Sequence, residues 1–117
     1  MKRALLVSVF ILWPSLADAA QRVWITEFAG LSSVTGGGTA QIAVLPAVAR
    51  QQVDVTSGVV SSAAFNASTR YIRVVCEVQC AVRGDGTAAT TDTLLPAFSP
   101  EYFGVQPGAS LSVIAAP

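Results

Sequence analysis

The sequence predicts an all-β fold, a small single-domain β-sandwich or barrel of about six to eight strands spanning residues 20–117. Three observations predict it. Short β-branched segments recur between Gly, Pro, Ser and Asn clusters. No apolar repeat of helical period extends over a useful length after Ala20. And residues 70–83, "RYIRVVCEVQCAVR", alternate strictly, with Ile72, Val74, Cys76, Val78, Cys80 and Val82 on one parity and most of the polar groups on the other.

Ahead of that domain, "MKRALLVSVFILWPSLADA" sets Lys2 and Arg3 before an apolar run from Ala4 to Trp13, then Pro14 and a small-residue Ala17-Asp18-Ala19. These are the three regions of a secretory signal peptide with cleavage before Ala20. The alternative is a retained N-terminal extension. The apolar run is too short for a stable membrane span, which as a helix takes roughly 20 residues.

The elements follow in order. "RVWITEF" (22–28) sets Val23 and Ile25 against Trp24, Thr26 and Phe28, apolar on both sides, as in a strand covered on both faces. "SSVTGGGT" (32–39) reads as a connection, because consecutive glycines cost too much backbone entropy inside a strand. "QIAVL" (41–45) stops at Pro46. "QQVDVT" (51–56) puts Val53 and Val55 on one face and Gln52, Asp54 and Thr56 on the other. "GVVSSAAF" (58–65) runs into the turn-like Asn66-Ala67-Ser68. Near the end, Tyr102, Phe103 and Val105 precede a turn at Gln106-Pro107-Gly108, and "SLSVIA" (110–115) is the last strand.

Composition narrows function. Charged residues are 12% of the chain, hydrophobic ones 52%, and the formal net charge is zero. Such a chain lacks the clustered Lys and Arg that neutralise phosphates, so nucleic acid is not an expected partner. The absence of histidine removes the commonest general base and every Ser-His or Cys-His pairing. The carboxylates Glu27, Asp54, Glu77, Asp85, Asp92 and Glu101 are scattered, so no catalytic residue, cofactor or metal site is expected.

Two motif shapes have plainer explanations. In one continuous strand, Cys76 and Cys80 would lie ~13 Å apart at Cα, beyond the roughly 7 Å a disulfide allows. They are therefore expected to be two buried free thiols, unless the strand breaks sharply between them. Arg83-Gly84-Asp85, with Gly86 after it, reads as a turn closing the strand and not as an adhesion loop. Asn66-Ala67-Ser68 fits a glycosylation acceptor but equally a turn.

Two stretches carry a family resemblance: "AQRVWITEFAGL" (20–31) and "STRYIRVVCEVQCAVRGDGTAATTDTLLPAFSPEYFGVQPGASLSVIA" (68–115). In the second, an "R-x-I-R-V" strand leads through a Cys to a Gly/Thr/Ala-rich loop, a "P-E-Y-F-G-V-x-P-G" segment and a final apolar strand. The chain resembles small virion-associated proteins of tailed bacteriophages and prophages, whose members begin about where Ala20 lies. The resemblance implies a capsid-decoration or minor head-associated role, a location in the virion, self-association, and binding to a capsid or neighbouring virion protein. Trp24, Phe28, Tyr102 and Phe103 are the expected interface anchors, because interface centres are rich in aromatics. The alternative is an exported bacterial β-sandwich, adhesin-like or surface-binding, periplasmic or secreted if residues 1–19 are a signal peptide.

Overall fold

A computed structural model of the chain describes residues 20–33, 37 and 39–117. The leader, and most of the glycine run, lie outside the described residues. The described chain is all β, in ten strands: β1 (Arg22–Phe28), β2 (Leu31–Ser33), β3 (Thr39–Ala43), β4 (Ala49–Asp54), β5 (Val60–Ser61), β6 (Tyr71–Cys76), β7 (Cys80–Arg83), β8 (Thr93–Leu95), β9 (Glu101–Gly104) and β10 (Ser112–Ala115). Eight of them form two four-stranded antiparallel sheets, ordered β4-β1-β6-β9 and β5-β10-β7-β8. The other two, β2 and β3, pair as a separate hairpin.

The sheets face each other across one core. Val23, Ile25, Ile72 and Val74 enter from the first sheet; Val82, Leu95 and Val113 enter from the second, all buried. Each such side chain contributes about 1.5–3 kcal/mol of transfer free energy on burial. The alternation of residues 70–83 placed Ile72, Val74 and Val82 inward, and the structure has them there; Val78, of the same parity, falls between strands and is only half-buried, and Leu95 lies in a segment the sequence reads as a loop.

The 70–83 segment is not one strand. Its alternation holds from Tyr71 to Cys76, the chain bends at residues 77–79, and Cys80 opens β7 in the opposite sheet. Both cysteines face the core with no exposure, and they form a disulfide with a Cα–Cα separation of 6.4 Å. The expected free thiols are thus corrected. Alternation records which residues face the core; it does not register a strand that changes sheets while keeping the same residues inward.

Three further differences are local. The Gly/Thr/Ala-rich loop after Arg83 contains β8, whose edge position in the second sheet comes from pairing with β7. Only Val60 and Ser61 of the 58–65 segment are strand. And β1 is covered on both faces only at its Phe28 end, since Trp24 stays 37% exposed. The turn at Pro107-Gly108 is as expected: Ala109 N–H donates to the Gln106 carbonyl at 3.2 Å, and Gly108 takes φ 78°, a conformation costly for any residue with a Cβ.

Glu27 is the unexpected member of the inward row of β1. It is 2% exposed, and three neutral donors serve it. Thr69 Oγ1 donates at 2.7 Å, Asn66 N–H at 2.8 Å and Gln51 Nε2 at 3.1 Å. Gln51 also exchanges hydrogen bonds with the backbone of Ala63. One carboxylate thereby ties the β5–β6 connection to the first sheet. Burial opposes its ionisation, but the bonds from Gln51, Asn66 and Thr69 together outweigh it and hold the pKa below the usual glutamate value.

Candidate functional site

The outward face of the first sheet gathers most of the residues that point to binding. Strand registers order it in rungs. Phe28 lies opposite Tyr71, which lies opposite Gly104. The next outward rung crosses all four strands: Arg50, Thr26, Arg73, Tyr102. Beyond it comes Gln52, Trp24 and Val75, and then Arg22 opposite Asp54. Side chains on successive outward rungs stand about 7 Å apart along the strands, and neighbouring strands about 4.8 Å apart.

The β2–β3 hairpin borders the Tyr71 end of this face. Phe28 stacks on Tyr71 with ring centroids 5.1 Å apart, and Tyr71 meets Tyr102 at 6.3 Å in a tilted arrangement. Leu31 and Ala43 of the hairpin, with Tyr71, Tyr102, Phe103 and Gly104, line a recess of about 340 Å³. Around it the hairpin and its exit leave large apolar groups in water: Ile42 is 60% and Leu45 76% exposed, with Leu31 and Val44 also exposed. The Tyr71 hydroxyl is buried without a hydrogen bond; the Val44 backbone is near but outside bonding geometry. Burial, then the neighbouring Tyr102, pushes this phenol above its ordinary pKa.

The four sequence-predicted anchors therefore separate. Tyr102 is outward and 55% exposed. Phe103 alternates to the other side of β9 and packs against the core while touching the recess. Phe28 is 4% exposed and spends its surface on Tyr71. Trp24 shares the outward face but stands beyond the Thr26 rung, apart from the recess. Leu31, Ile42, Leu45 and Tyr71 escaped sequence reading. The apolar residues around Pro46 carried a signal, but it read equally well as a core strand.

A second crevice, of about 420 Å³, opens where β8 and β9 border the two sheets. Its one cation is already paired, because Arg83 Nε meets Asp85 Oδ1 at 2.8 Å and Nη1 lies 3.9 Å from Asp92. That ion pair folds Arg83-Gly84-Asp85 back on itself, which is the turn role expected of it. Asn66 likewise works as a turn residue, its Oδ1 accepting from Ser68 N–H at 3.1 Å.

Among the described residues no group of three or more His, Cys, Asp or Glu side chains is placed to hold a metal ion. No helix among them is long and apolar enough to cross a membrane. What the outward face offers chemically is stacking, apolar contact and guanidinium hydrogen bonding. No protein-family model, curated protein or solved structure matches this chain, so its function is read from this geometry.

Proposed function

We propose that this protein is a structural component of a bacteriophage virion, a capsid-decoration or minor head-associated protein that works by assembly and not by catalysis. One observation carries the reading: the apolar rim of the Tyr71 recess. Leu31, Ile42, Val44, Leu45 and Tyr102 are all exposed, four of them on one hairpin and its exit. A cluster of large apolar groups that the monomer leaves wet is what a partner subunit covers. The resemblance of residues 20–31 and 68–115 to phage proteins supplies the setting. The test is the solution mass of the protein and its binding to purified phage capsids, repeated with Leu45→Asp. Self-association or capsid binding that Leu45→Asp abolishes supports assembly through this rim. A monodisperse monomer that ignores capsids overturns it.

A second reading, an exported bacterial β-sandwich with a surface-binding role, is favoured by the Cys76–Cys80 disulfide. Such bonds persist in oxidising compartments and are rare in the cytosol, and residues 1–19 have the three regions of an export signal. Mature protein beginning at Ala20 outside the cytoplasm of a bacterial host supports it. Intact Met1 on stable cytoplasmic protein overturns it.

A further inference from the structure

The described domain holds five arginines, and three have their charge or their donors engaged. Arg83 is paired with Asp85 and Asp92. Arg22 faces Asp54 across the β1–β4 ladder, where its charge helps lower the aspartate. Arg70 donates to the carbonyls of Ala67 and Thr69. Arg50 and Arg73 differ. Both register with Thr26, one on each neighbouring strand, so they stand astride it on the outward face, ~10 Å apart at Cα. Among the described residues neither has a carboxylate within 4.0 Å.

Two cations on the same rung, two strands apart and without a counter-ion among the described residues, gain no ion-pair stabilisation there. Their surroundings are those of a ligand face. Trp24 lies one outward rung away, Tyr102 lies beside Arg73, and Gln52 and Thr26 provide an amide and a hydroxyl. Trp24 and Tyr102 are both solvent-exposed, and their Cα atoms stand roughly 12 Å apart by strand spacing and rise.

We propose that this face binds a carboxylate-bearing polysaccharide, a uronic-acid type of glycan, with Arg50 and Arg73 taking a carboxylate above Thr26. Guanidinium forks match carboxylates in charge and geometry. The exposed indole offers an apolar surface for the face of a sugar ring, and Gln52 and Thr26 reach its hydroxyls. The charge count separates this ligand from nucleic acid. Residues 20–117 carry one more carboxylate than arginines, and only two cations on the face are uncompensated. Such sparse charge suits an anion with spaced carboxylates, whereas a phosphate at every residue calls for a denser cationic surface. This inference does not rest on assembly through the hairpin rim: Arg50, Arg73, Trp24 and Gln52 lie outside that rim, and Tyr102 alone is shared with it.

The experiment is a titration of the protein with hyaluronan oligomers, whose carboxylates fall on alternate sugars only, neutral dextran oligomers and an oligo-dT of equal charge, at low salt and again at high salt. Expected are binding to hyaluronan that weakens with salt, and none to dextran. The double variant Arg50→Gln/Arg73→Gln should weaken hyaluronan binding by about tenfold or more, as loss of charge-assisted hydrogen bonds does. Trp24→Ala should weaken it by roughly fivefold or more. Arg83→Gln, which alters a self-compensated cation elsewhere, should leave it unchanged. These positions are at the surface, and retained β circular dichroism and melting temperature confirm that the variants fold. Absence of hyaluronan binding, equal binding by the double variant, an equal loss in Arg83→Gln, or tighter binding of oligo-dT than of hyaluronan would each overturn the proposal.

Discussion

Cys76, the last residue of β6, is bonded to Cys80, the first of β7, so one disulfide clamps the corner at which the chain passes from one sheet to the other. Both residues are fully buried. The closed loop is short, so its entropic contribution is near the low end, about 2 kcal/mol. Replacing both cysteines by Ala removes that and two buried groups, for an expected loss of about 2–4 kcal/mol in denaturant unfolding. Thiol titration of the unfolded, unreduced protein should find no free thiol. Two reactive thiols there would show that the corner is held by packing alone.

Glu27 makes stability depend on pH in the acid range. Its folded-state pKa lies below the usual value, so the unfolded chain takes up the proton first as pH falls. The stabilisation is therefore present above the ordinary glutamate pKa of ~4.3 and is lost as pH drops through the lower folded value. Glu27→Gln keeps the size but replaces one acceptor oxygen with a donor amide facing Thr69, Asn66 or Gln51. It is expected to cost about 1–3 kcal/mol at pH 7 and to flatten the stability profile below pH ~4. Urea unfolding of both proteins at neutral and acid pH checks the sign and the size.

Tyr71→Phe should not destabilise the fold, and is expected to raise its stability by about 1 kcal/mol. The lost hydroxyl is buried and has no hydrogen-bond partner, so its desolvation is uncompensated. The ring that stacks on Phe28 is kept. A rise in the urea midpoint at unchanged m-value is the expected readout. A fall of similar size would mean that the hydroxyl is bonded in solution.

Gly108→Ala should destabilise by about 1 kcal/mol or more, because φ 78° carries a backbone penalty for alanine even where space is open. Gly104→Ala is the matched comparison. It also has open space at the Cβ position but no positive φ, and it should fall within about 0.5 kcal/mol of the parent. Thermal melts of the two variants side by side separate backbone strain from crowding.

The sequence by itself determined the all-β class and the inward rows. Ile72, Val74 and Cys76, then Cys80 and Val82, are read correctly as core because pleating sends alternate side chains to one face wherever the strand is paired. The Asn66 and Pro107-Gly108 turns were legible for a similar reason: their chemistry is local, and two or three adjacent residues contain all of it.

Partnership was decided only by the tertiary structure. The same alternation continues through residues 77–79 while the chain changes sheets, and that corner brings Cys76 within bonding distance of Cys80. Glu27 sits at an inward position that alternation alone marks as misplaced; Thr69 and Asn66, some forty residues away, make it tolerable. The pairing of β1 with both β4 and β6 sets Arg50 and Arg73 astride Thr26 and stacks Phe28 on Tyr71, while Trp24 stays exposed. Facing direction is written in neighbouring residues. Contact between distant strands depends on register and sheet order, which long-range pairing sets and a local pattern does not record.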